Sequence, residues 1–105
     1  MGDRVSVSFR KGGEESVVLF SHWGGMTLVA VAKGYARELK AEAQKAGLTW
    51  PLYRLEPSIV MVDFIRMLTE GVGRVTSDYY LGRSEADGDN SDNGHFVIDL
   101  DGESE

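Results

Sequence analysis

Phe20-Ser21-His22-Trp23-Gly24-Gly25 marks the point where an apolar strand pattern stops and a helical one starts. Before it, Val17, Val18, Leu19 and Phe20 form a nearly continuous apolar run that suits a buried strand. After it, Leu28, Val31, Ala32, Tyr35, Leu39, Ala43 and Ala46 recur at spacings of three and four, which places them on one face of a helix. The hexapeptide is therefore a strand-to-helix corner. It gathers one of the two tryptophans, one of the two histidines and a glycine pair.

Upstream of the corner, Val5, Val7 and Phe9 alternate with Ser6, Ser8 and Arg10, the period of a half-buried strand. Lys11-Gly12-Gly13-Glu14 supplies the turn that joins this strand to residues 16–21 as a hairpin. Downstream, Thr27 offers an N-cap hydroxyl, and Gly47 offers a C-terminal stop with Lys45 near the negative end of the dipole. Gly34 inside this helix costs about 1 kcal/mol relative to alanine, so a close crossing of another backbone is expected there. Residues 48–56 read as an irregular link around Trp50-Pro51.

Pro57 fits a first helical position, where the missing N–H is harmless. A mostly buried helix over 58–70 follows. Its apolar residues are Ile59, Val60, Met61, Val62, Phe64, Ile65, Met67 and Leu68, with Asp63, Arg66 and Glu70 as a solvated polar seam. The β-branched content leaves a strand over 59–65 as the alternative. Gly71 and Gly73 end the segment. Residues 74–81 read as a third strand with Val75, Tyr79 and Leu81 on one face. Residues 82–94 form a long acidic loop with room to move. His95 to Leu100 is a fourth strand with Phe96, Ile98 and Leu100 inward, and 101–105 is a frayed tail. The order ββααββ implies one α+β domain over residues 1–105. Its expected form is a two-layer, four-stranded antiparallel sheet, built from two hairpins, with both helices on one face.

Charge is divided unequally along the chain. Residues 1–84 hold all 11 basic side chains and nine acidic ones; residues 85–105 hold eight acidic side chains and no basic one. An acidic end of this kind repels nucleic-acid phosphates and suits cations or a basic partner. With no cysteine, disulfides, zinc–thiolate sites and cysteine nucleophiles are excluded. Neither an apolar leader at the N-terminus nor an apolar run of membrane-spanning length is visible, so a soluble protein in the cytoplasm is expected.

Three places could carry function. At the corner, Ser21, His22, Trp23, Gly24 and Gly25 could hold a small ligand or anion, since a helix N-terminus offers free N–H groups. No phosphate-loop motif accompanies it. Ser21 and His22 are adjacent in a strand and point to opposite faces, which disfavours a nucleophile–base pair. The structural alternative has Trp23 packed beneath the helix, His22 hydrogen-bonded locally and the glycines making the turn.

In the acidic loop, Asp89-x-Ser91-x-Asn93-Gly94 matches positions 1, 3, 5 and 6 of a calcium loop, but Leu100 stands where a bidentate Glu belongs. Asp87, Asp89, Asp92 and Asp99 could still gather one Ca²⁺ weakly, with Asp101 beside them; ordinary turn chemistry is the alternative. Two histidines, His22 and His95, are too few to predict a transition-metal site. Glu14-Glu15 sits at a turn with no evident partner. On the open sheet face, Tyr80 beside Ser6, Ser8, Thr76 and Val18 could meet a protein partner or a second copy of the chain; a merely wet face with Tyr80 half covered is the alternative.

The hexapeptide, with Tyr53-Arg54, the apolar helix and Asp92-Asn93-Gly94-His95…Ile98-Asp99-Leu100, resembles a group of small uncharacterised prokaryotic and phage-encoded proteins. In that group a strand ends in Tyr/Phe-Ser-His-Trp-Gly-Gly before a long helix. The resemblance implies the fold and the importance of the corner, and it brings no reaction with it. A non-enzymatic binding or accessory protein that contacts a protein partner is the expectation. Weak calcium binding through 87–101 is the alternative, and a small-ligand or anion site at the corner is the third reading.

Overall fold

The computed structural model describes residues 2–45, 55–70 and 78–100. Its elements are β1 (Val5–Lys11), β2 (Glu14–Glu15), β3 (Val18–Ser21), α1 (Gly25–Gln44), α2 (Pro57–Leu68), β4 (Tyr79–Gly82) and β5 (His95–Asp99). The fold is α+β, with a mostly antiparallel sheet and two helices. Several sequence expectations fall outside the described residues: the Gly47 stop, the Trp50-Pro51 link with Tyr53 and Arg54, the Gly71 and Gly73 ends, residues 74–77 of the third strand, Asp101 and the tail.

The first hairpin forms as its sequence dictates. Gly12 takes φ +60°, so two residues suffice to reverse the chain. Lys11 then pairs with Glu14 and Arg10 with Glu15. The returning strand is broken at Ser16-Val17 and resumes at Val18. Ser16 fills the break: its N–H donates to Phe9 O at 2.8 Å, and its Oγ accepts from Phe9 N at 3.0 Å. Val17, expected in the strand, lies in the break and is exposed.

The sheet differs from the expected pair of hairpins. β3 is flanked by β1 and β4, both antiparallel to it. β5 lies on the other side of β1 and runs parallel to it, from Ser6 opposite His95 to Arg10 opposite Asp99. The last two strands therefore do not pair with each other, and the sheet is not wholly antiparallel. The reason is the length of the loop between them. Twelve residues, 83–94, are enough for a crossover that carries the chain from one edge of the sheet to the other.

Val5, Val7 and Phe9 of β1 are fully buried. They share one core with Leu28, Val29, Ala32, Ala36 and Leu39 of α1, Val60, Met61 and Phe64 of α2, and Ile98 and Leu100. The α1 face is rotated slightly from the expected one: Val29 and Ala36 point inward, while Val31 is exposed. Residues 59–65 are helical, which removes the strand alternative, and Val62 faces solvent. Asp63 is more than a solvated seam residue: its Oδ2 accepts the Tyr35 hydroxyl at 2.7 Å, linking the two helices. Burial and that carboxylate push the Tyr35 phenol above its ordinary pKa.

Thr27 is exposed within α1 and is not the cap; the cap position is Gly24. Among the described residues, the only neighbour of an added Cβ at Gly34 would be the Arg37 guanidinium at 4.0 Å, and no backbone crosses closely. Gly34→Ala should therefore raise the unfolding free energy by about 0.5–1 kcal/mol through helix propensity alone. A shift of the urea midpoint to higher concentration with unchanged slope checks this.

Candidate functional site

The corner is built from inside by two side chains. Ser21 is fully buried, and its Oγ accepts from the N–H groups of Gly24 at 2.8 Å and Trp23 at 3.3 Å. It donates in turn to the carboxylate of Asp78. That carboxylate also accepts from His22 N at 3.1 Å and Trp23 N at 3.0 Å, and the Asp78 carbonyl accepts from His22 N at 3.0 Å. Gly25 follows with φ +54°, and its N–H donates to Asp3 O at 2.9 Å. A Cβ at Gly25 would run into the Asp3 carboxylate. The N–H groups of residues 22–25 are thus taken up within the chain, by the Asp78 carboxylate, the Ser21 hydroxyl and the Asp3 carbonyl.

The adjacent side chains diverge as strand geometry requires. The His22 ring lies 5.2 Å from Tyr80, while the Ser21 hydroxyl turns toward Asp78. Trp23 is 62 % exposed and does not pack beneath the helix. Both sides of its peptide are held by hydrogen bonds, so the ring is presented outward from a fixed backbone. Met26, at the start of α1, is also exposed.

The face of the sheet away from the helices is covered. The crossover loop folds across it, so Ser6 and Ser8 are fully buried. Tyr80 stacks on Phe20 with ring centroids 5.0 Å apart, and its hydroxyl accepts from Asp89 N at 2.9 Å. The loop lies so close that a Cβ on Gly88 would sit 2.7 Å from the Tyr80 ring and 2.8 Å from Phe20. Tyr80 is half covered, but Ser6, Ser8 and Val18 beside it are buried, so neither an open contact surface nor a merely wet face describes them.

The acidic residues of the loop serve this packing. Arg4 donates to Asp89 Oδ2 at 2.8 Å and, through Nε, to Asp92 Oδ2 at 3.1 Å; its backbone N–H also reaches Asp92 at 2.9 Å. The Ser91 hydroxyl and N–H, with a smaller contribution from Arg4, hold the Asp89 carboxyl below its usual pKa, and the Arg4 backbone N–H and guanidinium do the same for Asp92. Asp87 is lowered by the backbone N–H groups of Arg83 and Ser84, which it caps at 2.6 and 3.1 Å. Asp99 is engaged with Arg10 at 3.5 Å. The four carboxylates singled out for calcium are thus divided among three partners, Asp89 and Asp92 sharing Arg4. Among the described residues no three His, Asp or Glu side chains gather as a metal site. The cation at Asp89 and Asp92 is Arg4.

A second constellation on the same face escaped the sequence reading. The parallel register sets His95 beside Ser6. His95 Nδ1 lies 2.8 Å from Ser6 Oγ and Nε2 lies 3.3 Å from Ser8 Oγ. Ser8 Oγ donates to Glu15 Oε2 at 2.6 Å, and Asn90 Nδ2 donates to Ser6 Oγ at 2.9 Å. The His95 side chain is only 9 % exposed. Above it opens a cavity of about 360 Å³ lined by Glu15, Ser16, Val18, Arg83, Ser84, Glu85, His95 and Val97. The hairpin turn held half of this signal: Glu15 opposite Arg10 brings Glu15 near Ser8 on one sheet face. The other half depended on the parallel pairing of β5, which no local pattern announces.

No protein-family model, curated protein or solved structure matches the chain. No helix among the described residues is long and apolar enough to cross a membrane.

Proposed function

We propose that the chain is a non-enzymatic binding protein that contacts a protein partner through the corner that presents Trp23. One observation carries this reading: a tryptophan 62 % exposed on a backbone fixed by Asp78 and Ser21. Tryptophan is among the residues that most often dominate protein interfaces, and a rigid mount lowers the entropy lost on docking. Exposed Met26 lies within a helical turn of it in sequence and adds apolar area at the same end of α1. We take the architecture behind the corner as two layers in ββααββ order, with β2 and β3 counted as one interrupted strand. The resemblance of the hexapeptide to that of small phage-encoded proteins fits an accessory role. A non-enzymatic reading is favoured by the serines at the two sites: Ser6, Ser8 and Ser21 are all buried, with their hydroxyls engaged in structural bonds.

Photo-crosslinking tests the corner. Benzoylphenylalanine at position 23 should give one discrete adduct in native extract. Excess unlabelled wild-type chain should compete it away, and excess Trp23→Ser should not. Position 62, equally exposed on α2, is the control. Identical adducts from both positions, or equal competition by Trp23→Ser, would remove the corner from any interface.

A further inference from the structure

We propose that the cavity over His95 binds a small molecule through a primary ammonium group, with the Glu15 carboxylate as its main anchor. The hydrogen-bond order explains why Glu15 is suited to this. Asn90 donates to Ser6 Oγ, which lies 2.8 Å from His95 Nδ1. Ser8 donates to Glu15 Oε2, so its contact with His95 Nε2 has the ring N–H as donor. The Ser6 and Ser8 hydroxyls are thus each held on two sides. The chain of donors runs in one direction and ends on a carboxylate at the cavity wall. It fixes that carboxylate, and His95 Nε2 lies 3.8 Å from the same oxygen.

The rest of the lining points the same way. It contains two carboxylates, Glu15 and Glu85, against one guanidinium, Arg83. The surplus in the cavity is therefore negative. Val18 and Val97 supply an apolar wall for a short alkyl portion. At about 360 Å³ the cavity falls at the lower end of the usual range for ligand pockets, about 300–1,000 Å³, which suits a small amine or amino acid.

Three matched probes test the proposal on the full chain: ethylammonium, L-alanine and propionate. Amide resonances of Val18, Ser84 and Val97 should move saturably with ethylammonium and L-alanine and stay still with propionate. Tighter binding of L-alanine assigns a free amino acid, its carboxylate meeting Arg83; tighter binding of ethylammonium assigns a plain amine. Glu15→Gln should raise the half-saturating concentration about tenfold or more, since charge-assisted hydrogen bonds are roughly twice as strong as neutral ones. Glu85→Gln, on the exposed loop, should weaken binding without touching the Ser8 bond. Saturation by propionate at the same amides, unsaturable drift with ethylammonium, or wild-type affinity in a folded Glu15→Gln variant would each overturn the assignment.

Discussion

Phe9→Ala should lower the unfolding free energy by about 3–5 kcal/mol, the largest loss expected from any single truncation here. Phe9 is fully buried on β1, the strand flanked by both β3 and β5. Its ring meets Phe64 edge-on at 5.3 Å and Tyr35 at 5.9 Å, so one side chain joins the sheet to both helices. Each aromatic pair adds about 0.5–1.5 kcal/mol beyond the area it buries. A domain of this size has about 5–15 kcal/mol in all, so the variant should be partly unfolded near room temperature if the total lies at the low end. Urea unfolding followed by far-ultraviolet circular dichroism measures the change, and Phe9→Leu should recover more than half of it. A loss under about 1 kcal/mol would mean that the inner face of β1 is not closed by the helices.

Asp78→Ala should cost about 2–3 kcal/mol, because hydrogen bonds to a charged group contribute more than neutral ones. The carboxylate accepts from two backbone N–H groups and from buried Ser21. Asp78→Asn is the informative partner. It keeps an oxygen for His22 and Trp23 but loses the charge, so about half of the loss should return. Amide exchange should quicken at residues 22–24 in the alanine variant and much less in the asparagine variant. Equal destabilisation by both would show that charge carries the whole effect; no destabilisation by either would mean that water replaces the carboxylate at no cost.

The contrast between these two residues shows what the sequence reveals. Phe9 belongs to an alternating run, so its burial follows from local periodicity. The helix at Pro57 and the turn at Gly12 follow as directly, because the proline ring and the absent Cβ act within a residue or two. Asp78 stands 55 residues from Trp23, whose N–H it accepts, and nothing near Asp78 in the sequence identifies its partner. The same limit explains β5. Its inward and outward alternation is plain, yet whether it sits beside β4 or β1 depends on the path of residues 83–94. That loop looked acidic and therefore solvated. Arg4, near the other end of the chain, makes Asp89 and Asp92 into anchors. Trp23 was misplaced for a related reason: an apolar residue at a corner is expected to be buried, but Ser21 and Leu28 already crowd Gly24 beside it.

The parallel pairing of β1 with β5 also bears on how the chain is made. Val5 to Phe9 gains one neighbour from residues 18–21 and the other only from residues 95–99. At ordinary translation speeds of about 5–20 residues per second, the strand would wait roughly 4–16 s after residue 21 is made before its second edge can close. Partners so far apart slow folding, and an unpaired β-rich edge invites association with other chains. The vulnerable species is therefore the nascent polypeptide on the ribosome, whose first strand is finished only by residues made 89 positions later.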